Sequence, residues 1–131
     1  MVIAEASPAV AAALAHCEAW STHDWDTARS MLAADIKVTA TTTNPAVPAT
    51  ELTGVDSYMD GLIQFAQGLE PGSARVIESM GDEHNALLMV SARLAAGGPF
   101  GTGTLSGARL YLLDDEGRIK VEQVIFFAAP N

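Results

Sequence analysis

The chain has 131 residues, 49% of them hydrophobic, with 16 acidic and 7 basic side chains and a formal charge of -9. That length fits one domain around one core, and so acidic a surface repels phosphate backbones, which removes nucleic acid from the expected partners. The lone Cys17 can form no internal disulfide, so a cytoplasmic location is the expectation.

The opening MVIAEASPAVAAALA carries Glu5 and has no basic leader, so no signal peptide is expected. Glu18, Arg93 and Arg109 interrupt the long apolar runs, which argues against a membrane-spanning helix. Ser7-Pro8 reads as a helix N-cap followed by proline at the first helical position, and Val10, Ala13, Leu14 and Cys17 share one stripe of a helix running to about Trp20. Asp24 is a second cap, after which Trp25, Ala28 and Met31 or Leu32 recur at helical spacing. The period then changes to two. Ile36, Val38 and Ala40 alternate with Lys37, Thr39 and Thr41, predicting a strand.

Residues 44–50 hold two prolines and no periodicity, as a loop at a rim or lid would. Thr53 and Asp56 resemble a capping box for a third helix, whose apolar face holds Val55, Tyr58, Met59, Leu62, Phe65, Ala66 and Leu69 and which Glu70-Pro71-Gly72 terminates. Beyond Ser73 the pattern predicts strands over 74–81, 86–96, 102–113 and 118–128, joined by short polar turns. Helices first and consecutive strands afterwards predict an α+β fold with helices on one face of an antiparallel sheet.

The segments AHCEAWSTHDWDTARSMLAADIKV and ELTGVDSYMDGL, with the closing GRIKVEQVIFF, resemble the nuclear-transport-factor-two-like superfamily, which includes ketosteroid isomerases, limonene-epoxide hydrolases and SnoaL-like polyketide cyclases. The resemblance covers nearly all of residues 1–131 and implies a cone-shaped, cystatin-like α+β roll: a curved antiparallel sheet and three helices enclosing a pocket. It also implies a small apolar organic ligand and a homodimer formed through the sheet. One fold hosts many reactions, so the resemblance implies no single one.

The tyrosine that donates to the oxyanion in ketosteroid isomerases falls on His16 here. Their catalytic aspartate falls on Ala40 or Asn44, and their second donor, an aspartic acid, falls near Arg109. The limonene-epoxide hydrolase pattern calls for an aspartate two residues from Arg109, where Tyr111 stands. The acid/base group that SnoaL-like cyclases carry in their last strands matches Glu122.

If Asp115-Glu116 is the tip of the last hairpin, Arg109 lies directly opposite Glu122, whereas a bulge would shift that register. Glu122 shares a face with Val124 and Phe126, as a pocket lining would, and a guanidinium there could hold a carbonyl, enolate or carboxylate. Lys120 and Tyr111 on the same face instead suit a solvated ion pair. His16 lies one turn before Trp20, where a neutral imidazole could act as acid, base or donor, or serve structure alone.

The expected catalytic residues are therefore His16, Arg109 and Glu122, and the expected substrate-binding side chains are Trp20, Tyr58, Tyr111, Val124 and Phe126. His23 fits a turn between helices, and Cys17 fits the core as a small hydrophobe. No HExxH or paired HxH spacing occurs, so neither a metal nor another cofactor is expected. GTGTLSG lacks the lysine and following helix of a phosphate loop and fits a strand. The expected activity is acid/base isomerisation, cyclisation or hydration of a small carbonyl or cyclic compound. The alternative is a non-catalytic binding or interaction module of the same fold.

Overall fold

The computed structural model describes residues 7–98, 101 and 103–127. The opening that carries Glu5 and the strand ends at Thr102 and Ala128 lie outside the described residues. Helix α1 spans Pro8–Ser21, α2 Trp25–Ser30 and α3 Val55–Gln67; strand β1 spans Leu32–Thr42, β2 Thr50–Thr53, β3 Arg75–Gly81, β4 Asn85–Arg93, β5 Thr104–Leu113 and β6 Ile119–Phe126. Both predicted N-caps form: Ser7 accepts from Val10 N at 3.3 Å and Asp24 accepts from Thr27 N at 3.4 Å. His23 occupies the turn between α1 and α2 with φ 64°.

The third helix starts differently from the capping-box expectation. Its N-cap is Gly54, at φ 93°, and no side chain caps it. The positive φ lets the chain turn sharply out of β2 while Gly54 N donates to Ile36 O at 2.8 Å, a conformation that glycine adopts without strain. Thr53 belongs to β2, a short strand that the Pro-rich pattern of 44–50 did not announce, and α3 ends at Gln67, ahead of the proline.

The strands form one curved open sheet in the order β2-β1-β6-β5-β4-β3. Its neighbours are antiparallel apart from β1 and β6, which run parallel. This join brings the first long strand beside the last one. Ala86, Leu88, Val90 and Ala92 alternate inward along β4, and Ile36, Val38, Tyr111, Leu113, Ile119 and Val124 complete the sheet's side of the core. Ala9, Val10, Ala13, Cys17 and Trp20 from α1, and Tyr58, Met59 and Leu62 from α3, close it. No helix among the described residues is long and apolar enough to cross a membrane.

Candidate active site

The β5–β6 hairpin decides what the site contains. Asp114 Oδ1 accepts from Glu116 N and Arg118 N, both at 2.9 Å, and Gly117 turns the chain at φ 82°. This turn pairs Asp114 with Arg118, a one-residue slip from the simplest hairpin. A second slip follows at once: Leu113 pairs with Ile119 but Leu112 pairs with Val121, leaving Lys120 as the extra residue of a bulge.

One slip would turn Glu122 to the opposite face; two restore it. Ile119 and Glu122, three residues apart, therefore both point inward, while Lys120 between them is exposed. The expected opposition of Arg109 and Glu122 is accordingly corrected. Arg109 faces Val124, and Glu122 faces Tyr111.

Arg109 and Glu122 still meet, because they lie diagonally on one face. Arg109 Nη1 donates to Glu122 Oε1 at 2.6 Å, and the two residues are 5% and 0% exposed. The pair is thus buried, which overturns the solvated-face reading that Lys120 and Tyr111 had suggested; Tyr111 is itself buried. The guanidinium lies 4.7 Å from the Trp20 ring centre and 5.4 Å from that of Phe65, so aromatic faces cover the charge. Burial is the largest single influence and works against the Arg109 charge, but Glu122 together with Tyr111, Tyr58 and Cys17 outweighs it and keeps the guanidinium protonated.

Helix α1 inserts His16 beside this pair, fully buried. Its ring centre stands 6.1 Å from that of Tyr58 on α3 and 6.3 Å from that of Tyr111 on β5. Burial lowers the His16 pKa from 6.5 to about 4, with Glu122 opposing and Arg109 adding to the shift, so the imidazole is neutral at physiological pH. Burial also holds both tyrosine phenols well above their ordinary pKa, and the Glu122 charge pushes them further in the same direction. Both Nδ1 and Nε2 of His16, Trp20 Nε1, the hydroxyls of Tyr58 and Tyr111, and Glu122 Oε2 are buried without a partner in good hydrogen-bond geometry among the described residues, although the Tyr58 hydroxyl faces Glu122 and the Tyr111 hydroxyl faces Arg109.

On the other side of Arg109 lies a cavity of about 20 Å³, walled by Trp20, Phe65, Leu69, Val90, Leu105, Val124 and Phe126. Its volume is about that needed for one water. Phe65, Leu105 and Phe126 are only half-buried, and they form its outer wall.

A model of the SnoaL-like domain matches residues 13–122. The chain belongs to the SnoaL-like domain family.

Solved structures agree on the fold of this SnoaL-like domain. A protein from Kribbella flavida DSM 17836 shares 28% identity, with 88% of this chain and 84% of that one covered at a TM-score of 0.73. An LEH-like epoxide hydrolase of M. tuberculosis is 19% identical, over 91% of this chain and 82% of that one, at a TM-score of 0.68. A candidate SnoaL-like polyketide cyclase from Shewanella putrefaciens CN-32 is 15% identical, over 93% and 91%, at a TM-score of 0.73. No curated protein matches the sequence significantly.

Within the SnoaL-like domain, the residues singled out from sequence fall into two adjoining groups. His16, Tyr58, Tyr111 and Glu122 form the buried polar cluster, and Trp20, Val124 and Phe126 line the cavity with Arg109 between the groups. Leu105 lines the cavity on the Arg109 face of β5, where the sequence places it, whereas Phe65 and Leu69 are lining residues that the sequence reading left in the core. The helical periodicity predicts Phe65 and Leu69 on one apolar face, although α3 ends at Gln67 and Leu69 instead bridges to Leu94, and nothing in that periodicity separates a cavity wall from ordinary packing. Among the described residues no group of three or more His, Cys, Asp and Glu side chains could hold a metal ion.

Proposed function

We propose that this SnoaL-like domain binds a small neutral carbonyl or cyclic compound and transfers a proton on it. The observation that carries the reading is the set of unpartnered buried polar atoms around the Arg109–Glu122 pair. Each such atom costs a fold about 1–3 kcal/mol. Clustered in one place, they suit a ligand that supplies the missing partners.

In this reading Glu122 Oε2 accepts the substrate proton while Arg109 holds the other carboxylate oxygen. Tyr58 and Tyr111, kept protonated by burial, donate to the oxygen on which negative charge develops. His16, neutral, offers one further donor and one acceptor. Trp20, Val124 and Phe126, which line the cavity, hold the apolar part of the substrate, and entry requires the half-buried Phe65 and Leu105 of the outer wall to move aside.

The test is exchange of the α-protons of cyclohexanone with deuterated water, followed by NMR. The wild type should accelerate it, and Glu122→Gln and His16→Ala, checked for native circular dichroism, should abolish the acceleration. Undiminished exchange in both variants would remove the assignment.

The small cavity favours a second reading, a binding or interaction module in which the cone is packed rather than used. Under that reading no neutral carbonyl compound is turned over, and any ligand shows itself only by raising the melting temperature.

The expected homodimer is retained as part of the proposal. The outer face of the sheet carries Met80, Leu87, Leu110, Leu112 and Val121 around a groove of about 450 Å³, and Met80 and Leu110 are 65% and 40% exposed. A second copy laid on this face would cover them.

A further inference from the structure

Arg109 has the surroundings of an anion site. It is buried, Trp20 and Phe65 cover its faces, and Nη1 donates to a carboxylate oxygen. That carboxylate, however, is the chain's own. Glu122 comes from the adjacent strand and is fixed in place by the β5–β6 pairing, so it cannot diffuse away and vacate the position. In a low-dielectric interior the two charges cancel, and a further anion beside Glu122 would meet repulsion comparable to the attraction it sought from Arg109.

The remaining polar atoms are complementary in kind. Glu122 Oε2 can only accept, Trp20 Nε1 can only donate, the Tyr58 and Tyr111 hydroxyls can donate, and the neutral His16 ring offers one donor and one acceptor. A neutral molecule with a donor next to an acceptor matches this set; a carboxylate has no donor to offer Glu122 Oε2 and brings a charge that Glu122 repels.

We infer that Glu122 is a specificity-determining residue: as the built-in counter-ion of Arg109 it closes the pocket to anions and selects a neutral ligand that presents a hydrogen-bond donor beside an acceptor, as a carboxamide or a hydroxy-carbonyl compound does. This rests on the proposed ligand pocket and names the chemistry that the pocket selects.

Acetamide and acetate are nearly isosteric and differ in charge and in donor capacity, so they are the probes. Each is titrated into the full chain at pH 7 while the Trp20 indole N–H signal is followed by NMR. The wild type should bind acetamide at least tenfold more tightly than acetate. In Glu122→Gln, where Arg109 has lost its counter-ion, acetate affinity should rise at least tenfold and the order should invert. Acetate binding as tight as acetamide in the wild type overturns the inference, as does a folded Glu122→Gln protein that gains nothing for acetate. Failure of acetamide to move the Trp20 signal overturns it as well.

The wild-type comparison needs no variant and stands whether or not Glu122→Gln folds. The proton-exchange assay keeps the two proposals apart. Accelerated exchange by a protein that binds both probes alike removes the selectivity and leaves the acid/base reading intact.

Discussion

Arg109 Nη1 stands 2.6 Å from Glu122 Oε1 along a diagonal of the β5–β6 ladder, with Tyr111 directly across from Glu122 and Val124 directly across from Arg109. The diagonal leaves room for the Tyr111 ring beside the carboxylate, so the ion pair and a phenol share one side of the sheet. Each half of the pair is tolerated in the interior only because the other half is there.

Removing one partner should therefore cost more than removing both. Glu122→Leu and Arg109→Met should each lose about 3–5 kcal/mol of stability, because each leaves one buried charge uncompensated. The double variant should lose less than the more damaging single one. Urea unfolding of the four proteins closes the cycle, and strictly additive losses would show that the two side chains do not depend on each other.

His16 makes stability depend on pH in a defined window. Its pKa is about 4 in the folded protein and 6.5 without burial, so between these values the unfolded chain binds the proton more readily. The stabilisation is full above pH 6.5 and is lost as the pH falls towards 4, by about 3 kcal/mol in all. The stability advantage of the wild type over His16→Gln should shrink by that amount between pH 7 and pH 4, as measured by urea unfolding at each pH. A change centred on pH 6.5 in the native protein's His16 ring NMR signals would contradict the burial described for it.

Cys17 should be inert while the protein is folded. It is 3% exposed, and burial raises its thiol pKa to about 11, outweighing the pull of Arg109 in the other direction. At pH 8 a disulfide reagent should label it only after denaturant is added. Rapid labelling of the native protein would require α1 to lift from the sheet at low cost.

The outer face of the sheet offers an independent check on assembly. Leu110→Lys places a charge at the centre of the exposed apolar face without touching the inward residues Arg109 and Tyr111 on either side. If a second copy covers this face, the substitution should convert dimer to monomer in sedimentation experiments while the circular dichroism stays native. A wild type that sediments as a monomer would dismiss the dimer.

Much of the fold was legible because its signals are local. Ser7-Pro8 and Asp24 cap helices through atoms three residues away, and the alternation of Ile36 with Val38 marks a strand before any partner is known. The chemistry of the candidate site was also legible as a list, since His16, Arg109 and Glu122 stand out among apolar neighbours. Gly54 as the start of α3 was less so, because a backbone cap leaves no side-chain signature of the kind a Thr53–Asp56 capping box would carry.

By itself the sequence determined which residues could form helices, which could form strands, and which few polar groups were available to the interior. Only the tertiary structure decided how those groups meet. The side-chain period of a strand is two, so the facing of Glu122 depends on whether the hairpin slips by one residue or by two, and the bulge at Lys120 adds the second slip. The burial of the pair likewise comes from α1 and α3, which are distant along the chain and bring His16, Trp20, Tyr58 and Phe65 to it. Register and burial depend on competition among long-range contacts, and no local pattern records the outcome of that competition.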